Sequence, residues 1–186
     1  MLRSKRFRAW RARIVRSTAV ASLLSCATPL AAGELLPASA SVPVALRLSD
    51  LDGQDRSLAE FKGRVVLVNF WASWCSPCIK EMPSIQRLAR TMRGKPFAII
   101  GVNVAETELR VTAAVRRPGI EFPVLLDKDS AVFKRWGATV LPTTYVLDEN
   151  GMVRYVGQGP LEWDGAEATE MLEQLVKGGA APMLLP

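Results

Sequence analysis

Cys75 and Cys78 are separated by two residues in the run Trp74-Cys75-Ser76-Pro77-Cys78. Thiols at this spacing can form half of a four-ligand zinc site, a short covalent staple, or a pair that passes between dithiol and disulfide. The zinc reading needs a second pair of ligands. The chain holds 3 cysteines and no histidine, so only an intermolecular site could supply them. A staple closing so short a loop removes little freedom from the unfolded chain. Redox exchange fits the spacing best. Absence of histidine also excludes a Cys-His hydrolytic dyad and haem held by imidazole. Neither a metal nor a separate cofactor is called for, because the two sulfurs themselves carry the electrons.

The elements that position the pair decide which sulfur reacts. Val65-Val66-Leu67-Val68-Asn69-Phe70 is an apolar, β-branched run with no polar alternation, as expected of a strand covered on both faces at the centre of a sheet. From Ser76 to about Met92, the apolar residues Ile79, Met82, Ile85, Leu88, Ala89 and Met92 recur every three or four positions, which predicts a helix with one buried stripe. Cys75 therefore falls where a strand hands over to a helix. There its sulfur meets unpartnered first-turn amides and the positive end of the helix dipole, which favour the nucleophilic thiolate. Cys78, three residues on along the same face and less exposed, is placed to attack the resulting mixed disulfide. Pro77 costs no hydrogen bond in a first turn, and with Ser76 it influences the reduction potential and borders the reactive sulfur.

Further along, residues 97–104 predict the next strand of a β-α-β unit, 106–117 a shorter helix, 124–126 a brief strand and 131–136 another helix. Two apolar runs, 143–147 and 152–156, flank Asn150-Gly151, a strong hairpin signal. Residues 162–177 predict the last helix. Upstream, Leu46-Arg47-Leu48, the turn Asp52-Gly53 and a short strand at 56–58 predict a smaller hairpin. Residues 34–45, with Pro37, Pro43 and several small side chains, read as a linker, which places the domain at 46–180 and a tail at 181–186.

The net charge of +6 is uneven. Residues 1–33 carry seven basic side chains (Arg3, Lys5, Arg6, Arg8, Arg11, Arg13 and Arg16) and no acid. Removing them from the total of 24 leaves 17 basic against 18 acidic residues, so the remainder is near neutral and nucleic-acid binding loses its support. An apolar stretch from Ser17 to Ala32 follows the charges, in the order of an export signal. It is short for a membrane span and contains Pro29. Three outcomes stand open: cleavage near Ala32, retention as a membrane anchor, or lipidation of Cys26 after Leu23-Leu24-Ser25. Each places the domain outside the cytoplasm, in a bacterial periplasm or on the outer face of the cytoplasmic membrane.

Residues 64–85, Arg-Val-Val-Leu-Val-Asn-Phe-Trp-Ala-Ser-Trp-Cys-Ser-Pro-Cys-Ile-Lys-Glu-Met-Pro-Ser-Ile, resemble the active-site segment of the TlpA-like (ResA-like, DsbE-like) membrane-tethered thioredoxins. The resemblance extends over about 46–177 and takes in Asp52-Gly53, the helix near 106–117 and Leu141-Pro142-Thr143-Thr144. It implies an α/β thioredoxin fold: a central mixed β-sheet flanked by helices, an N-terminal β-hairpin and an additional helix inserted in the core fold. It also implies thiol-disulfide oxidoreductase activity, as an extracytoplasmic reductant of selected partner proteins such as apocytochrome c or a copper-site assembly protein, with a membrane thiol-disulfide carrier restoring the dithiol.

By the same resemblance, Leu141-Pro142 is a cis peptide beside the cysteines, with Leu141 and Thr143 flanking the site where a substrate strand pairs. Trp74 matches a tryptophan that shields the nucleophile, although a plain packing role fits it equally. Glu81 matches an acid that trades a proton with the second thiol; an ordinary solvated acid early in a helix is the competing reading. Asn69 stands where many thioredoxins carry a buried aspartate and cannot relay a proton as a carboxylate would. Pro83 is expected to kink its helix.

The direction of electron flow depends on potential, which sequence does not supply, so an oxidase or isomerase competes with the reductant. A peroxidase of the same fold calls for a threonine three residues before its cysteine, and Ala72 holds that position. A non-catalytic binding module with incidental cysteines is a further class.

Overall fold

The computed structural model describes residues 33–41, 45–116 and 118–178. The chain runs β1 (Glu34–Ser41), β2 (Arg47–Ser49), β3 (Asp55–Ser57), a single turn of 3-10 helix (Leu58–Phe61), β4 (Val65–Trp71), α1 (Ser76–Thr91), β5 (Phe97–Val104), α2 (Glu108–Arg116), β6 (Val124–Asp127), α3 (Ala131–Arg135), β7 (Thr143–Leu147), β8 (Val153–Gln158) and α4 (Ala166–Val176).

Six strands form one sheet in the order β1-β8-β7-β4-β5-β6. β4 lies inside it, parallel to β5 and antiparallel to β7, and every one of its residues is buried, as its unbroken apolar run requires. Alternation then assigns its side chains to two cores. Val66, Val68 and Phe70 pack with Ile100, Val102, Trp136 and Tyr145 on one face; Val65 and Leu67 pack with Ile85, Leu88, Trp163 and Leu172 on the other. Asn69 and Trp71 therefore point toward the α1 side. The first core is closed by edge-on aromatic contacts of Phe70 with Phe133, Trp136 and Tyr145. The expected hairpins are present: β2 pairs antiparallel with β3, and β7 with β8. Gly53 and Gly151 take positive φ in their turns. The mixed sheet, the N-terminal hairpin and the inserted helix α2 match the expected architecture.

Three boundaries differ for physical reasons. Glu34–Ser41 is not a linker but the edge strand β1, antiparallel to β8. Without it β8 would expose a row of unpaired backbone groups, and Pro37 is tolerated because an edge strand can spare an N–H. α2 begins at Glu108, two residues late, because Glu106 is turned back toward β4. α4 begins at Ala166 because Trp163 is fully buried in the core and Asp164 pairs with Arg87. α1 continues through Pro83. Residues 1–32, with Cys26, and the tail 181–186 lie outside the described residues. Among those described, no helix is long and apolar enough to cross a membrane.

Candidate active site

Cys75 is the residue that caps the N-terminus of α1, and it is disulfide-bonded to Cys78. The chain leaves the buried end of β4, makes a tight turn in which the Cys75 N–H donates to the Ala72 carbonyl, and enters the helix at Ser76. The Cys78 N–H donates to Cys75 Sγ at 3.3 Å, so a first-turn amide is aimed at the outer sulfur. Pro77 occupies the first turn, where its missing N–H leaves no bond unmade. Cys75 keeps 6% exposure and Cys78 1%, so Cys75 is the more accessible of the two.

Cys75 lies in a groove bordered by Trp74, Ser76 and Pro77 on one side and by Phe133, Lys134, Val140 and Leu141 on the other. Trp74 is 64% exposed, which rules out a core packing role. The Leu141-Pro142 peptide is cis, as the resemblance implied. Thr143 does not border the groove. It is fully buried, and its hydroxyl donates to the Val140 carbonyl at 2.7 Å, bracing the loop from behind.

Glu81 is not a solvated acid. One helical turn beyond Cys78, it is 3% exposed, and its two carboxylate oxygens accept bonds from Asn69 Nδ2 at 2.7 Å and from the Leu161 N–H at 2.8 Å. Burial pushes its pKa up from 4.5 to about 7, against the pull of the Leu161 and Asn69 hydrogen bonds. Asn69 also donates to Thr144 Oγ1, its neighbour across the β4–β7 ladder. Asn69 thus has a role the sequence signalled only as a lone amide in an apolar run, where a buried polar group demands partners. Leu161 acts through its backbone, for which the sequence carries no sign.

A second buried acid beside the site carries no such signal in the sequence. Glu106, after β5, accepts the Ser73 N–H, the Ser73 hydroxyl and Asn103 Nδ2.

A family model described as Redoxin matches residues 31–175, and so most of the described fold. The chain belongs to the Redoxin family. Within it, the chain is 37% identical over 114 residues to the thiol-disulfide oxidoreductase ResA of Geobacillus thermodenitrificans, covering 61% of this chain and 66% of that one. It is 35% identical over 130 residues to the protein of the same name from Bacillus thuringiensis, covering 70% of this chain and 72% of the relative. The thioredoxin domain of a thiol-disulfide oxidoreductase from Bacteroides vulgatus superposes with a TM-score of 0.67 at 28% identity, over 75% of this chain and 98% of that domain. A DsbE-type thiol:disulfide interchange protein from Chlorobium tepidum shares the fold, with a TM-score of 0.66 at 24% identity over 77% and 98% of the two chains. The fold is thioredoxin-like, and the Cys75–Cys78 pair makes this family member a thiol-disulfide oxidoreductase.

Proposed function

We propose that the protein is an exported reductant of disulfides in selected partner proteins. The observation that carries this reading is the placement of the Cys75–Cys78 disulfide: outer sulfur in an apolar groove at the first turn of α1, inner sulfur buried behind it. Starting from the dithiol, the Cys75 thiolate attacks a partner disulfide, and one partner sulfur leaves as a thiolate. Cys78 loses its proton and attacks Cys75 Sγ, which releases the second partner sulfur. Two electrons pass to the partner and the Cys75–Cys78 disulfide remains.

Glu81, pushed up to about 7 and one turn from Cys78, is the acceptor for the Cys78 proton near neutral pH. The extended partner chain lies beside Trp74, Ser76, Pro77 and Leu141, against the cis Pro142 loop. The basic, apolar N-terminal segment carries the domain to the outer face of the membrane, where a membrane thiol-disulfide carrier restores the dithiol. Apocytochrome c and a copper-site assembly protein are the partner classes that the family resemblance favours.

The test is capture. Cys78→Ser, expressed in a bacterial envelope, is expected to hold a partner as a mixed disulfide through Cys75, and mass spectrometry names it. A folded variant that captures nothing counts against the mechanism. A reduction potential of about −270 mV agrees with a reductant; one of about −120 mV reverses the direction.

A further inference from the structure

We propose that Glu106 is a positioning residue that clamps Ser73 and thereby fixes the Ser73–Trp74 segment at the lip of the groove beside Cys75. This rests on the thiol-disulfide exchange reading and adds to it a residue from the loop between β5 and α2.

Glu106 is 7% exposed, a rare site for a carboxylate unless its oxygens are partnered. Oε2 accepts the Ser73 N–H at 2.6 Å and Asn103 Nδ2 at 2.8 Å, and Oε1 accepts the Ser73 hydroxyl. One side chain thus holds both the backbone and the side chain of a residue two positions before the nucleophile. Asn103 supports the same anchor. Its amide donates to Glu106, and its Oδ1 is buried without a partner among the described residues.

The local backbone is arranged for the same end. Ala105 sits at φ 61, a left-handed conformation that a residue with a Cβ rarely adopts, and its N–H donates to the Asp127 carbonyl. That turn sends Glu106 back over the end of β4 instead of into α2, which starts only at Glu108. Ala105 itself lines the groove with Trp74 and Cys75. Strain held at a functional site by surrounding bonds is the pattern seen here.

Glu106 is not placed as a proton donor. Burial raises its pKa, yet the Ser73 and Asn103 bonds prevail and hold it below the usual carboxylate range, so it stays an ionised acceptor where Glu81 titrates. The segment it holds carries Trp74, whose exposed indole meets the partner chain. Loss of the clamp therefore weakens recognition of a protein chain more than reaction with a small disulfide.

The experiment compares wild type, Glu106→Ala, Glu106→Gln and Ser73→Ala in the reduced state, with a disulfide-bonded peptide and with glutathione disulfide. Glu106→Ala is expected to lower kcat/KM on the peptide about tenfold, through KM, and to leave the glutathione disulfide rate within about twofold. Glu106→Gln restores the peptide reaction to within about threefold, since its carbonyl and amide can still engage the Ser73 N–H and hydroxyl. Ser73→Ala, which keeps the N–H bond, falls between. Hydrogen exchange at the Ser73 and Trp74 amides reads the clamp without activity: protection holds in Glu106→Gln and falls at least about tenfold in Glu106→Ala. Wild-type kinetics and protection in Glu106→Ala overturn the proposal. So does equal damage in Ala and Gln, which would make the charge and not the anchor the active property. A wild type that exchanges with neither disulfide instead overturns the exchange reading, and the amide protection still judges the clamp.

Discussion

Asn69 Nδ2 donates to Glu81 Oε1 at 2.7 Å, tying the middle of the central strand β4 to the helix that carries the cysteines. The other Glu81 oxygen accepts the Leu161 N–H at 2.8 Å. Both bonds favour the charged carboxylate, yet burial outweighs them and pushes the pKa to about 7.

That shift fixes the sign of a pH effect on stability. Between the ordinary value of 4.5 and about 7, the folded protein holds a proton on Glu81 that the unfolded chain has released. The stabilisation is complete below the lower value and is lost as pH rises through the upper one, by roughly 3 kcal/mol in all. Glu81→Gln cannot titrate, so its stability relative to wild type rises across the same window. Denaturant unfolding of the oxidised protein from pH 5 to pH 8 checks this; parallel curves for the two proteins would return Glu81 to the ordinary range.

Asn69 gives a second handle on the same proton. Asn69→Ala deletes a bond to the charged form, so the pH midpoint for alkylation of the reduced cysteines moves upward by about half a unit to one unit. Asn69→Asp acts differently, because a second carboxylate at that distance must share one proton with Glu81 and spreads the titration into two steps. Alkylation followed by mass spectrometry across pH distinguishes the two patterns. A midpoint unmoved in Asn69→Ala would separate Glu81 from thiol reactivity.

What the sequence disclosed was local, and what it concealed was distant. The continuous apolar run of β4, the helical stripe of α1 and the Asn150-Gly151 turn each state their structure within a few residues, and all three are where expected. Strand β1 is not legible this way, since its Pro37 and small residues acquire a role only when β8 offers an open edge. For Glu81 the local sequence leaves a solvated acid open, because acids are common early in helices, beside the proton-trading acid that the family resemblance implies; it is buried by the segment after β8, through the Leu161 backbone and the packed Trp163. Glu106 falls within a predicted helix, and nothing local shows that Ala105 turns it toward Ser73.

Among the described residues that line the groove around Cys75, Lys134 is the only Lys, Arg, Asp or Glu; the other lining residues are mostly apolar. An acidic side chain beside the partner disulfide therefore gains a favourable contact, worth at most about 1 kcal/mol for an exposed pair. Two disulfide peptides that differ only in a flanking Glu or Lys are expected to differ several-fold in kcat/KM in favour of Glu, an amount consistent with that energy. Lys134→Glu reverses the order. An unchanged order in Lys134→Glu would remove Lys134 from recognition.

Gly33 tests whether the edge strand β1 is integral to the domain. Its N–H donates to the Pro160 carbonyl at 2.8 Å, and a Cβ at this position would lie 2.6 Å from the Gly159 carbonyl carbon and 2.7 Å from the Pro160 oxygen. Those atoms are backbone and cannot swing aside as the tip of a side chain could. Gly33→Ala must therefore push β1 away from the turn that follows β8, close to the Leu161 amide that holds Glu81. A loss of about 1–3 kcal/mol is expected, the usual cost of forced overpacking. Gly63→Ala, at a site with open space but positive φ, serves as the comparison for backbone strain alone. If β1 is docked as described, Gly33→Ala also changes the pH dependence of stability that Glu81 imposes, whereas Gly63→Ala lowers stability equally at every pH. Unfolding midpoints of both variants at pH 5 and pH 8 decide it.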